Sequence, residues 1–319
     1  MSIDEVATPT PGPGQALVRV EAAGVNFIDV YLRSGQYPAP LPLPLGREGA
    51  GVIEALAGDV DPTLDLEIGD RVAWCGIPGS YATHLVAPVD RLVPVPENID
   101  LRSAAAVMLQ GMTAHYLTRS TFPLAAGHRC LIHAAAGGVG LLLCQLARRA
   151  GAMVIGTVST AVKEAAARDA GATHVIRYTD EDFAAATLRL TGGDKVHVVY
   201  DSVGKTTFDR GLDCLAPRGT MVLFGQSSGA VAPLELQTLN AKGSLFVTRP
   251  NLDHHVATRS ELVARAADVL GWVAAGELVV RIDRALPLAE AATAHRLLES
   301  RATSGKLLLA GQDLSTISN

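Results

Sequence analysis

The sequence predicts an α/β protein of two domains, a partly open β-barrel and a doubly wound parallel sheet. Three observations carry this. The glycine-rich stretch His133-Ala134-Ala135-Ala136-Gly137-Gly138-Val139-Gly140 follows the apolar run Cys130-Leu131-Ile132 and opens an apolar helical pattern that ends at Arg149. From about residue 113 to 251, strand-like and helix-like segments alternate regularly, whereas residues 1 to about 112 hold short β-like segments separated by Gly and Pro. The length, 319 residues, suits two such domains.

In chain order, segments 15–22, 51–56, 71–74 and 81–86 alternate as strands do and form the barrel. Segment 101–116, rich in Ala, Met and Leu, reads as a helix leading out of it. Strands follow at 129–133, 153–158, 174–177, 196–202, 220–225 and 244–248, with helices between. Strand cores with little polar alternation, such as 196–200, suit a sheet covered on both faces. Gly151, Gly171 and Gly219 punctuate helix ends, and the acidic run Asp180-Glu181-Asp182 suits a helix first turn. Beyond Asn251 come a helix at 260–275, a strand at 278–282, a helix at 289–301 and a strand at 306–309. This tail has no second glycine fingerprint and is expected to rejoin the first domain. The predicted domains are therefore 1–112 with 252–319, and 113–251. The last strand, 244–248, is an open edge unless it meets its mate in a two-fold dimer.

A strand that turns on glycines into a helix start presents bare N–H groups and a positive dipole end to a pyrophosphate. The stretch departs from Gly-x-Gly-x-x-Gly in having Ala135 at the first position, which is tolerable where the turn keeps a negative φ there. A free ribose 2′-hydroxyl is normally held by a carboxylate at the end of the second strand. Thr157-Val158-Ser159-Thr160 and then Lys163 stand there instead, so a 2′-phosphate fits and NADPH is predicted over NADH. Ser159, Lys163 and Tyr178 are its candidate partners.

Composition narrows the classes. With 48% hydrophobic and 18% charged residues the chain is globular. A net charge of −5 without a Lys/Arg stripe disfavours nucleic acid. No apolar run reaches the roughly 18 residues that cross a bilayer, and the N-terminus has neither basic flank nor apolar core, so a cytoplasmic protein is expected. The four cysteines, Cys75, Cys130, Cys144 and Cys214, include no Cys-x-x-Cys pair and read as buried small hydrophobes. The side chains of His254-His255 diverge and do not read as a metal pair, and His133 reads as a strand end.

Several motifs in order resemble one family across nearly the whole chain: Gly24-Val25-Asn26-Phe27-Ile28-Asp29 with Tyr31 and Arg33-Ser34-Gly35, Leu45-Gly46-Arg47-Glu48-Gly49-Ala50-Gly51, Ala134 to Gly140, Tyr200-Asp201-Ser202-Val203-Gly204, and Val247-Thr248-Arg249-Pro250. They are similar to the zinc-free NADPH:quinone oxidoreductases, the zeta-crystallin-like branch of the medium-chain dehydrogenase/reductase superfamily. The resemblance implies a GroES-like catalytic domain, a Rossmann nucleotide domain, NADPH and a homodimer formed through the nucleotide domain. It also places Asn26 and Arg47 where zinc-dependent relatives have a cysteine and a histidine ligand, and Glu48 alone cannot hold zinc, so no metal is expected.

By the same resemblance Asn26 and Tyr37 lie near the nicotinamide and substrate, with Tyr31 and Asp29 behind. Thr113, Gly137, Gly138, Val139 and Gly140 approach the pyrophosphate. Phe224, Gly225, Thr248 and Arg249 line the nicotinamide side, and Lys306 is a further phosphate candidate. The chain begins closer to its first strand than is usual, implying a misplaced start codon or an altered barrel edge. Gln110 stands where some relatives carry Lys. The expected reaction is hydride transfer to a quinone, with Asn26 or Tyr37 donating a hydrogen bond to the developing oxyanion. An enone or alkene reductase is the near alternative; a non-catalytic NADPH-binding or RNA-binding protein is the alternative from another class.

Overall fold

The β-like segments of the first 112 residues pair around one long strand. In the computed structural model, which describes residues 1–310, β1 (Gln15–Val25) runs antiparallel to β2 (Glu48–Leu56), to β4 (His84–Pro88) and to the C-terminal β13 (Lys306–Ala310). One strand can serve three partners because bulges between Leu17 and Val18 and between Val20 and Ala22 re-aim it. With β3 (Arg71–Cys75), β5 (Val93–Pro94) and β12 (Ile282–Pro287) the order is β12-β13-β1-β2-β3-β5, with β4 on β1. Val18, Ile53, Val72, Trp74, Leu85 and Leu92 fill the barrel core. A short helix, α1 (Phe27–Arg33), leaves the end of β1, and α2 (Leu101–Tyr116) follows the barrel.

The second sheet joins β6 (Arg129–Ile132), β7 (Met153–Val158), β8 (His174–Arg177), β9 (Val196–Asp201), β10 (Leu215–Leu223) and β11 (Phe246–Thr248) in the order β11-β10-β9-β6-β7-β8. Every pairing is parallel. The chain reverses direction across the sheet between β6 and β9, the switch point where doubly wound sheets leave a crevice at their carboxyl ends. The helices α3 (Gly138–Arg149), α4 (Ala161–Asp169), α5 (Phe183–Leu190), α6 (Phe208–Asp213) and α7 (Leu236–Ala241) make the crossovers. Asp182 closes the acidic run as the N-cap of α5, accepting from the Ala185 N–H at 2.8 Å. By contact the chain forms two compact units, Met1–Met112 with the residues from Val256 on, and Thr113–His255.

The tail differs in detail from the sequence expectation. Residues 278–281 of the expected strand 278–282 are not a strand, because Gly276 (φ 70°) turns the chain at the end of α8 (Arg259–Ala274) and the Leu278 N–H closes on the Trp272 carbonyl. Within this run only Leu278 is buried against the helix end, Val279 is exposed, and the strand starts at Ile282. The expected helix at 289–301 is a 3-10 turn, Leu288–Glu290, followed by α9 (Ala291–Glu299). The strand expected at 81–86 starts at His84. No helix among the described residues is long and apolar enough to cross a membrane.

Candidate active site

The turn between β6 and α3 is shaped by three fitted positions. Ala134 takes the left-handed conformation (φ 51°), so Ala135, where the fingerprint wants glycine, does not need it. The Ala135 methyl is admitted from across the sheet, since a Cβ on Gly156 of β7 would sit 2.7 Å from it. Gly140 permits the closest approach, because a Cβ there would lie 2.3 Å from the Ala134 carbonyl oxygen. Gly137 is the N-cap of α3 and provides no side-chain acceptor, so the first-turn amides of Gly138, Val139 and Gly140 keep their hydrogens for an external anion.

At the ends of β7 and β8 the Tyr178 N–H donates to the Val158 carbonyl (3.1 Å), and the Thr179 hydroxyl to that of Ser159 (3.2 Å). These bonds bring Ser159 and Tyr178 to one corner, with Lys163 in the first turn of α4, whose N-cap is Thr160. No carboxylate ends β7. The neighbouring Arg177 is engaged by Glu164 and Asp180. At the far side of the same sheet, Phe224 and Gly225 follow β10 with their N–H groups on the Asp201 carbonyl, and Arg249 donates to the Leu223 carbonyl (2.9 Å) just after Thr248 ends β11. Thr113 is buried within α2.

In the barrel unit the site is built of buried side chains. Asn26 is the N-cap of α1, and Asp29 Oδ2 accepts its backbone N–H (2.9 Å). Its amide is bonded at both ends. Nδ2 donates to Glu48 Oε2 (2.8 Å) and, at the longer distance of 3.3 Å, to the Gly24 carbonyl. Oδ1 accepts from Lys306 Nζ (2.8 Å) and from Gln110 Nε2 (3.3 Å). Lys306, only 1% exposed, also ion-pairs with Glu48 Oε2, while Glu48 Oε1 accepts from the Leu109 N–H (2.7 Å). Burial pushes the Lys306 ammonium below the usual lysine range, against the opposing pull of Glu48 and Asp29.

Asp29 links this cluster to a second string. Its Oδ2 accepts from the Tyr81 hydroxyl (3.1 Å), which lies 3.2 Å from His295 Nε2; His295 Nδ1 faces Arg33 (3.4 Å), and Arg33 pairs with Glu299 (2.6 Å). Because Arg33 can only donate, His295 is fixed with its proton on Nε2. Burial raises the Asp29 carboxyl to about 6, with the Asn26 amide and Tyr81 pulling the other way. Burial, reinforced by Arg33, lowers His295 to about 4. Tyr31 and Tyr37 pack ring to ring, with centroids 5.1 Å apart and planes at 57°, and the Tyr37 N–H donates to the Tyr31 carbonyl.

Comparison with known proteins matches both halves of this arrangement. Residues 12–97 match the alcohol dehydrogenase GroES-like domain, and residues 138–260 match the zinc-binding dehydrogenase family. A quinone oxidoreductase of Pseudomonas aeruginosa is 48% identical over 301 residues, covering 94% of this chain and 92% of that one. A 2-haloacrylate reductase of Burkholderia is 42% identical, covering 97% and 94%. The crystal structure of an Escherichia coli quinone oxidoreductase complexed with NADPH superimposes with a TM-score of 0.93 at 44% identity, over 96% of this chain and 94% of that one. The chain belongs to the quinone oxidoreductase branch of the medium-chain dehydrogenases and reductases. Its fold is that of the branch, a GroES-like domain with a Rossmann domain.

The zinc named in one matching family finds no donor set at Asn26. An amide, a carboxylate whose oxygens are both engaged and an ammonium without a lone pair do not make a tetrahedral site, and Arg47 is turned to the Gly76 carbonyl (2.9 Å). Among the described residues no group of three or more His, Cys, Asp or Glu is placed to hold a metal. The four cysteines are buried and none is in a disulfide, and burial pushes Cys144 and Cys214 up to about 12, where they are inert. His133 is buried on Thr157 and Phe183, and His255 stacks on Tyr116.

Of the expected catalytic residues, the fold brings Asn26 and Asp29 into one cluster and pairs Tyr31 with Tyr37. Lys306, expected at a phosphate, is instead sealed against Asn26 and Glu48. Glu48, Tyr81 and His295 were not foreseen in their roles. Only Glu48 carried a signal, as an acidic residue inside a glycine-rich apolar strand; nothing local marks Tyr81 or His295.

Proposed function

We propose that the protein is an NADPH-dependent reductase of quinones that works without catalytic zinc. The observation that carries the reading is the cluster at Asn26, where an amide held by a buried ammonium stands in place of metal ligands. Gly137, Gly138, Val139 and Gly140 hold the pyrophosphate by main-chain amides, helped by Thr113. Ser159, Lys163 and Tyr178 hold the 2′-phosphate, and Phe224, Gly225, Thr248 and Arg249 line the nicotinamide side. When bound, NADPH supplies a hydride from C4 of its nicotinamide. Asn26 then donates from Nδ2 to the acceptor oxygen on which negative charge develops, exchanging its long bond to Gly24 for that oxygen. Tyr37, half-buried, offers an aromatic face to a planar acceptor with the buried Tyr31 packed behind it, and the Tyr37 hydroxyl is a second donor. Asp29 fixes the backbone from which Asn26 projects.

A second reading, reduction of an activated alkene, is favoured by the similarity to a 2-haloacrylate reductase. Steady-state rates with a benzoquinone, a naphthoquinone and a short enone test the two. Rates on both quinones at the protein-free background, with turnover of the enone, would replace the first reading by the second. The outer strand β11 pairs on one side with β10 and exposes Phe246, which supports a homodimer through the nucleotide unit; a monomeric mass in solution would contradict it. Use of NADPH together with four buried cysteines, none in a disulfide, supports a cytoplasmic location.

A further inference from the structure

Two glycines make room for Lys306. A Cβ on Gly24 would lie 2.1 Å from Glu48 Oε2 and 2.7 Å from Lys306 Cε, and a Cβ on Gly305 would lie 2.4 Å from the Arg281 carbonyl oxygen. The backbone is thus shaped to carry a lysine head to Asn26 Oδ1 with Glu48 as counter-ion. Stability alone is a poor reason for this. Removing both charges from water costs about what their attraction returns, and an apolar pair of similar volume usually serves a core as well or better. The placement makes sense electrically. A cation on the oxygen of an amide withdraws electron density from its nitrogen, and hydrogen bonds in series polarise one another where the dielectric is low.

We propose that Lys306 is a positioning residue of the reductase site: its ammonium, anchored by Glu48, orients the Asn26 amide and polarises it, so that Nδ2 becomes a stronger donor to the acceptor's oxyanion. The inference rests on the reading of Asn26 as that donor. Glu48 holds one Nδ2 hydrogen at 2.8 Å, so the hydrogen on the 3.3 Å bond to Gly24 is the one released to substrate. Glu48 and Asp29 are the acidic groups that act on the ammonium, and they favour its charged form against the cost of burial. Gln110, half-buried on Asn26 Oδ1, shares the same oxygen and steadies the amide plane.

The test compares the double variant Lys306→Met/Glu48→Gln with Asn26→Ala and wild type, measuring thermal stability, NADPH affinity by fluorescence, and kcat and KM for 1,4-benzoquinone. The double variant removes both charges of the pair and leaves Asp29 its hydrogen bonds from the Asn26 N–H and the Tyr81 hydroxyl. It should fold and bind NADPH as wild type does, with little change in KM and a kcat about tenfold lower, the worth of turning a charge-assisted bond into a neutral one. Asn26→Ala should lower kcat about 100-fold. If the ion pair is merely structural, the double variant keeps the wild-type kcat, and that result beside a low kcat in Asn26→Ala overturns the inference while leaving the donor reading intact. A wild-type kcat in Asn26→Ala overturns the donor reading itself and the inference with it. Should Met at position 306 prevent folding, Lys306→Gln/Glu48→Gln, which keeps a neutral donor to Asn26, gives the same comparison.

Discussion

The two units prepare for negative charge by opposite means. The nucleotide unit uses main chain: glycines strip side chains from a helix start, and what remains is a set of amides with a dipole behind them. The barrel unit uses side chains, burying an ammonium, a carboxylate and an amide in a mutually satisfied group. The first is cheap to build and suits a charge that is already present on the ligand. The second carries a desolvation cost and suits a charge that appears only during reaction, because preorganised donors then need no rearrangement.

Glycine plays a part in each unit, and substituting it separates the two designs. Gly140→Ala would place a Cβ 2.3 Å from the Ala134 oxygen, in rigid backbone. It should weaken NADPH binding by at least about 100-fold and cost roughly 1–3 kcal/mol of stability, measured by fluorescence titration and thermal unfolding. Gly24→Ala would push on Glu48 and the flexible end of Lys306. It should leave NADPH affinity intact and lower kcat about 30-fold, in steady-state assays with saturating cofactor. If both variants lost cofactor binding equally, the division of labour would be wrong.

Smaller effects sharpen the contrast. Lys163→Ala should raise the KM for NADPH about tenfold and leave that for NADH nearly unchanged if, as proposed, its ammonium pairs with the 2′-phosphate that NADH lacks; equal rises would remove the assignment. Asp29→Asn tests the burial of charge. With the folded carboxyl raised from 3.8 to about 6, its contribution to stability is full below the unfolded value and fades as pH rises through 6. Between pH 4 and 7 wild type should therefore lose about 2 kcal/mol relative to the Asn variant in urea unfolding, most of the ~3 kcal/mol that a shift of this size carries. His295 works in the other direction, because its depressed value takes stability away as pH falls from 6.5 through about 4. It is present in both proteins and cancels from the difference.

The same contrast explains what the sequence discloses. The β6 turn, the missing carboxylate after β7 and the order of the parallel strands are local patterns, and residues 153–158, 174–177 and 101–116 are read correctly to the residue. The barrel cluster joins residues 26, 48, 110 and 306, brought together by pairing of β1 with β2 and β13, and no local spacing reveals it. A lysine after a glycine near the C-terminus looks like a surface or phosphate residue until the strand that carries it is seen to be buried along its whole length. The helix α1 escaped because seven residues are too few to show a period, although its cap residues, Asn26 and Asp29, were singled out for other reasons. The apolar stretch after α8 has the β-branched composition of a strand, although only Leu278 is buried, closing the helix end, and Val279 is exposed.

The most direct measurement mixes the purified protein with NADPH and 1,4-benzoquinone in a stopped-flow instrument, using ordinary and C4-deuterated cofactor. One NADPH should be consumed per quinone reduced, at a rate far above the protein-free reaction and more slowly with the deuterated cofactor. NADPH fluorescence that reports binding, with consumption no faster than in the absence of protein, would contradict the proposed reduction.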